Sequence, residues 1–357
     1  MGSSSSRGWG SRVLLLVSAL LILVFVVDFV LMNTRYDEIR RRLDDVRQFP
    51  EFDYRPVDGD PEFNPDGVRD ARTSDDFREG DCNIVFLGDS FVFGMRVWPS
   101  ESLPQQLELW ASALAPTERV RVANFGWVSA SPYLVKDVLA ELGPGYEPDL
   151  VLLAVDVTDP HEDIRYRHYT DREGVHSMLS FLPSFLLAAK EFAASAGLHE
   201  DWFGYPGDRL FPVNLPVEEM RPHMAEMRTH IDTLAAHARE ELGARFALLV
   251  VPRHYHYSRR ESPKDGEEGA YDRLGKNRYS FFTYFDEMAT EVDYPVRSLL
   301  PVLRQAPTFP TTFYRDPHWT PQTHRFVARQ VLRILQEEEL LCSAAASPAP
   351  VRSSSED

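Results

Sequence analysis

The sequence predicts an α/β domain of three layers, a parallel sheet with helices on both faces, preceded by one apolar helix near the N-terminus. Three observations carry this. Apolar strand-like runs alternate with helical stretches from Ile84 onward, and those runs are apolar almost without interruption, as in strands buried on both sides. A separate apolar run of about twenty residues, Val13 to Met32, is long enough at 1.5 Å per residue to cross a hydrocarbon core of roughly 30 Å.

Residues 1–12 form a short arm and 13–32 a transmembrane anchor. Its one charge is Asp28, toward the far end, where hydration lowers the cost of a carboxylate. The following "MNTRYDE" offers no small-residue cleavage site, which favours an anchor over a cleaved signal peptide. Arg7 and Arg12 precede the run while Arg35, Arg40, Arg41 and Arg42 follow it, so a count of positive charges alone places the main domain in the cytoplasm. A short arm leading into an apolar segment is equally the way exported domains are targeted. Residues 33–80, rich in charge, Pro and Gly, read as a juxtamembrane helix and spacer.

The main domain is expected over 81–341. Ile84–Leu87 is a strand, "SLPQQLELWASALA" a helix, "RVRVANFG" a strand, "PYLVKDVLAELG" a helix and "DLVLLAVDV" a strand. The region from about 160 to 215 breaks this rhythm and reads as an insertion. Its stretch "SMLSFLPSFLLAAKEFAASAG" fits either a buried helix or an apolar lid. Apolar residues at Met220, Met224, Met227, Ile231, Leu234 and Ala238 define one face of a long helix, and "RFALLVV" is the next strand. A shorter strand at Val296–Leu300 and a last helix from Pro321, with Thr320 as its N-cap, complete the set. Residues 342–357 read as a disordered tail.

A net charge of −17 argues against a nucleic-acid partner, because phosphate neutralisation needs clustered Lys and Arg. No cofactor motif is present, and Cys82 and Cys342 have no zinc-site spacing. The two cysteines either pair at the bottom of the sheet, in an oxidising compartment, or are unrelated buried thiols.

In a parallel open sheet, sites form beyond the carboxyl ends of the strands. The stretch "NIVFLGDSFVFGMRV" delivers Ser90 to that edge. Gly126 follows the second strand, Thr158 and Asp159 follow the third, and "YRDPHWT" directly precedes the last helix.

Gly88-Asp89-Ser90-Phe91 with Gly94, Asn124-Phe125-Gly126, the run Leu152 to Asp159, and Asp316-Pro317-His318-Trp319, in that order, resemble the blocks of the SGNH (GDSL-like) hydrolase family, specifically its membrane-associated bacterial branch. The resemblance covers roughly residues 82 to 340. It implies a flavodoxin-like α/β/α fold, an extracytoplasmic domain, and a serine nucleophile acting on esters, often acyl groups on carbohydrate.

The chemistry agrees. A serine hydroxyl needs a base in hydrogen-bond reach, and the base needs a group that fixes its tautomer. Ser90, His318 and Asp316 fill these roles, and Trp319 is expected to pack against the imidazole. The Ser90 and Gly126 N–H groups are expected to bind the oxyanion. Where the family carries an Asn as a further donor, this chain has Thr158, whose hydroxyl reaches less far. A second departure is Thr323 in place of a Gly, followed by His324, read as structural. Asp89, Asp159 and Asp163 read as loop and helix-start acceptors.

Trp127, Arg253, His254, His256 and Trp319 are expected to line the substrate cleft, together with Tyr255 and Tyr257. His254 and His256 lack further metal ligands at matching spacing, so no metal is assigned. The sequence therefore reads as a membrane-anchored serine esterase or O-acyltransferase acting on acyl esters of envelope or exported carbohydrate. The transferase version requires a multi-spanning partner to deliver the acyl donor. The rival readings are a catalytically weakened glycan-binding or scaffold protein and a lipolytic esterase acting on a lipid ester.

Overall fold

The structure is a computed structural model and describes residues 15–27, 30, 62–114, 119–171, 209–261 and 275–342. The chain divides into two units, 1–53 with 165–207, and 54–164 with 208–357. In the first, residues 15–27 are helical and carry exposed apolar side chains such as Leu16, 72% exposed. Among the described residues no helix is long and apolar enough to cross a membrane. Much of the expected insertion, the rest of the apolar run and the tail lie outside the described residues.

Among its described residues the second unit holds five parallel strands: β1 (Cys82–Gly88), β2 (Val120–Gly126), β3 (Leu150–Val155), β4 (Arg245–Val250) and β5 (Val296–Ser298). Their order is β2-β1-β3-β4-β5, the flavodoxin-like arrangement, whose direction of winding reverses beside β1 and β3. The α-helices named among the described residues from Ser90 onward are α1 (Ser90–Phe93), α2 (Leu103–Leu114), α3 (Pro132–Leu142), α4 (Asp159–Asp171), α5 (Phe211–Asn214), α6 (Val217–Glu240), α7 (His254–Tyr257), α8 (Ser280–Met288), α9 (Leu300–Leu303) and α10 (Pro321–Glu337).

Strand β1 shows why the layers number three. Side chains alternate along a strand. Val85 and Leu87 join a core with α3, α6 and α8, while Ile84 and Phe86 join a second core with α2 and α10. All four are fully buried, which explains the unbroken apolar run. The apolar stripe of α6 is likewise buried, from Met220 to Ala238.

Two features correct or complete the sequence reading. Residues 62–80, expected as spacer, are folded onto the domain: Val68, Arg69, Asp70 and Phe77 are buried there. Cys82, the first residue of β1, and Cys342, beyond α10, form a disulfide with a Cα–Cα distance of 5.7 Å. This pairing was one of the two alternatives the sequence left open.

Candidate active site

Ser90 owes its position to the end of β1. A Cβ on Gly88 would lie 2.5 Å from Val92 Cγ2 and 3.0 Å from the Ala154 carbonyl oxygen, so only glycine lets the chain turn tightly from strand into α1. Asp89 caps that helix, its Oδ1 accepting the Phe91 N–H at 2.9 Å. Gly94, at φ +80°, ends it after four residues. Ser90 is thereby held at the carboxyl edge of β1, beside the winding reversal.

His318 arrives on a loop 228 residues later in the chain. Thr312 and Trp319 form an antiparallel bridge, the Phe313 N–H donates to the His318 carbonyl at 3.0 Å and the Thr320 N–H to the Thr311 carbonyl at 3.0 Å. Buried Glu261 fixes one side of this hairpin, accepting from the Thr311 N–H at 2.8 Å, the Thr311 hydroxyl at 2.6 Å and the Thr312 hydroxyl at 3.1 Å. Thr320 then caps α10 by accepting from the Thr323 N–H.

His318 Nε2 stands 2.8 Å from Ser90 Oγ, and His318 Nδ1 stands 2.6 Å from Asp316 Oδ1. The same carboxylate oxygen accepts the His318 backbone N–H at 2.9 Å. An ionised Asp316 only accepts, which assigns the neutral ring's proton to Nδ1 and leaves Nε2 to receive the serine proton. Burial pushes the Asp316 carboxyl up, but bonds from the His318 amide, Arg96 and the His318 ring outweigh it and hold the group below its usual range. Burial pushes the His318 imidazole down, and this outweighs the upward pull of Asp316. The ring is therefore neutral near pH 7, as a general base requires.

The expected oxyanion donors fare differently. The Gly126 N–H donates to Asn124 Oδ1 at 3.0 Å, and a Cβ at Gly126 would sit 2.1 Å from the Phe93 nitrogen. Glycine is needed there because β2 packs against the α1 backbone, a correction to its expected role at the oxyanion. Thr158 donates its hydroxyl to Asp156 Oδ1 at 2.8 Å and its N–H to the same oxygen at 2.7 Å, so its proton is committed as well. The Ser90 N–H, at the unpaired start of α1, is the remaining member of the expected set.

In place of a side-chain amide the site holds an ion pair. Arg253 Nη2 lies 2.6 Å from Asp156 Oδ2, with both side chains buried, and also donates to Thr158 Oγ1 at 3.1 Å. Its guanidinium stands 5.2 Å from the Phe91 ring centroid. Burial pushes the Asp156 carboxyl up, but Arg253 and the Thr158 bonds pull it below the usual range. Burial and the Asp156 charge drive neighbouring Asp89 and Asp159 well above theirs. Three buried carboxyls thus meet there, with oxygens within 4.8 Å of one another, and Arg253 is the counter-ion of Asp156. As expected, Asp159 and Asp163 serve the backbone: Asp159 Oδ2 accepts the Asp156 N–H at 2.9 Å, and Asp163 Oδ1 accepts the Tyr133 N–H at 2.6 Å.

Several expected cleft residues are core residues instead. Trp319 is fully buried, its ring 4.8 Å from Phe91 and 5.6 Å from His324. Phe91, not Trp319, is the ring beside the imidazole, with centroids 5.5 Å apart. His254 and His256 are buried because the chain after β4 turns into α7 rather than running extended. His256 Nδ1 lies 3.2 Å from the Arg253 carbonyl and its ring 4.9 Å from Phe282, and burial lowers its pKa to about 3. Tyr255 is buried as well, and the half-buried Tyr257 hydroxyl meets Thr311 Oγ1 at 2.9 Å. Trp127 is half-buried, 5.4 Å from the Phe63 ring.

Two arginines near the Ser90 segment and the His318 loop had no signal in the sequence beyond their charge. Arg69, 1% exposed, donates to the carbonyls of Phe93, Gly94 and Val97 and stacks 4.2 Å over the Phe93 ring. Arg96 Nη1 donates to Asp316 Oδ2 at 3.0 Å.

No family model matches the chain, and no curated protein matches it. Among solved structures, the psychrotrophic esterase EstA from Pseudoalteromonas sp. is 12% identical, with a TM-score of 0.42 over 72% of this chain and 99% of that one. The lipase/acylhydrolase from Enterococcus faecalis is 14% identical, with a TM-score of 0.41 over 74% of this chain and 100% of that one. A variant of an acetyl-xylooligosaccharide esterase from Geobacillus Stearmophilus is 14% identical, with a TM-score of 0.38 over 71% and 94%.

Proposed function

We propose that this chain is a serine hydrolase of the SGNH type, a membrane-anchored esterase or O-acyltransferase acting on acyl esters of carbohydrate outside the cytoplasmic membrane. The observation that carries the reading is the continuous relay from Ser90 Oγ to His318 Nε2 at 2.8 Å and from His318 Nδ1 to Asp316 at 2.6 Å, at the carboxyl edge of a parallel sheet.

Ser90 Oγ attacks the acyl carbonyl carbon while its proton passes to His318 Nε2. Asp316 keeps the ring oriented and stabilises the imidazolium that forms. The Ser90 N–H faces the developing oxyanion, a contact worth about 3 kcal/mol per donor in preorganised sites. Collapse breaks the ester bond, and the imidazolium returns its proton to the departing alkoxide. The acyl-enzyme is then attacked by water, giving the acid, or by a glycan hydroxyl, giving a new ester. Esterase and transferase differ only in that acceptor, and a transferase requires a multi-spanning partner to bring the acyl donor across the membrane.

The Cys82–Cys342 disulfide supports an oxidising, extracytoplasmic compartment. The exposed apolar helix at residues 15–27 supports an N-terminal anchor. The commitment of Gly126 and Thr158 to internal bonds favours a second reading, a weakened enzyme that mainly binds glycan.

A fluorophosphonate probe tests both. The full chain should be labelled at Ser90, and Ser90→Ala and His318→Ala should abolish labelling. A folded wild-type chain that resists the probe overturns the esterase reading in favour of the binding one.

A further inference from the structure

We propose that Arg96 is a positioning residue of the relay, its guanidinium holding the outer oxygen of Asp316 so that the Asp316–His318 pair keeps both its orientation and its charge balance. The proposal rests on the esterase reading only in naming Asp316 the orienter and His318 the base.

Arg96 has φ +68°, a left-handed conformation that a residue with a Cβ adopts at a cost. Such backbone persists where its surroundings over-determine it, and it gathers at working sites. The surroundings here are explicit. Buried Arg69 donates to the Phe93, Gly94 and Val97 carbonyls, and the Val97 N–H returns to the Gly94 carbonyl at 3.2 Å. The turn Gly94–Val97 is thus clamped from beneath, and Arg96 is the residue it projects outward, 54% exposed.

What it reaches is the base loop. Nη1 donates to Asp316 Oδ2 at 3.0 Å, across 220 residues of sequence. The guanidinium also stands 5.5 Å from the ring centroid of Phe313, whose N–H holds the His318 carbonyl. Asp316 Oδ1 is occupied by the His318 ring and amide, so Arg96 takes the other oxygen. The segment bearing the nucleophile and the loop bearing the base are joined at both ends, Ser90 to His318 and Arg96 to Asp316.

The charged and titratable groups around His318 are Asp316 on its own loop, Arg253 and Asp156 beyond Phe91, and His324 on α10. Against that fixed background, loss of the Arg96 cation leaves the Asp316 charge less neutralised. The imidazolium gains stability and the His318 pKa rises.

The test is a histidine NMR titration of the full chain, with the His318 signal identified by its loss in His318→Gln. Arg96→Gln and Arg96→Gly should each raise the His318 pKa by about half a unit or more. They should also slow phosphonylation of Ser90 about tenfold, and Arg96→Lys should recover part of both effects. Glycine is at ease at this φ, so the Gly variant should melt within a few degrees of wild type, which separates positioning from fold stability. An unmoved His318 titration in both variants, with or without a change in melting, overturns the proposal. A shifted titration in a protein the probe never labels supports the Arg96 tie and overturns the esterase reading instead.

Discussion

Asp156 Oδ2 and Arg253 Nη2 stand 2.6 Å apart with both side chains buried, and the Thr158 hydroxyl is bonded to both partners. The pair lies beside Asp89, the residue before Ser90, with Arg253 over the Phe91 ring. Two charges out of water are tolerated there because each is the other's counter-ion and Thr158 satisfies a further lone pair of Asp156.

Removing one partner leaves the other charge buried and unpaired. Arg253→Met should lower stability by about 3–5 kcal/mol, whereas Arg253→Met with Asp156→Leu should recover much of that loss. Denaturant unfolding of the two single variants and the double completes the cycle. Additive losses mean that the pair is not coupled.

Gly126→Ala should destabilise by roughly 3 kcal/mol or more, because the new methyl meets the rigid backbone of Phe93 rather than a side chain that can swing away. The displaced backbone belongs to α1, so Ser90 labelling should slow in the fraction that folds. Unfolding curves and labelling rates, measured together, check both effects.

Buried His324 has its pKa lowered to about 3, chiefly by burial. Between that value and the unfolded histidine's 6.5 the unfolded state binds the extra proton, so this contribution is complete above pH 6.5 and is lost as pH falls. The slope is about 1.4 kcal/mol per pH unit. Asp89 and Asp159, with raised values, act in the opposite direction above the ordinary carboxylate range. Subtracting them requires a variant, and His324→Gln should flatten stability against pH by that slope between pH 4 and 6. An unchanged slope means that His324 is already protonated in the native state.

The Cys82–Cys342 bridge closes a loop with a sequence separation of 260. Cys82→Ser with Cys342→Ser should cost about 2–5 kcal/mol of stability. Non-reducing peptide mapping of the chain isolated from its native host should recover the bridged pair, and finding free thiols removes the disulfide's support for an extracytoplasmic domain.

Much of the fold was legible because it follows from local periodicity. Val85 and Leu87 face one core and Ile84 and Phe86 the other, so a continuous apolar run could only be a strand covered on both sides. The α6 stripe was readable for the same reason, since 3.6 residues per turn brings Met220, Met224 and Met227 onto one side. Residues 62–80 misled because Pro, Gly and charge mark irregular backbone equally well in a linker and in a segment folded onto a domain.

The sequence by itself determined the alternation that makes a doubly wound sheet and the order of blocks that nominated Ser90, Asp316 and His318. Only the tertiary structure decided what those residues meet. It assigned Gly126 to the close approach of β2 and α1, buried His254, His256 and Trp319 in the core, and gave the Asp156 carboxylate to Arg253 and Thr158. It also brought Arg96 to Asp316 from 220 residues away. Periodicity and residue type are properties of neighbouring positions, whereas a donor's choice of acceptor depends on which distant loops the sheet brings to the same edge. That choice is made only when the whole core closes.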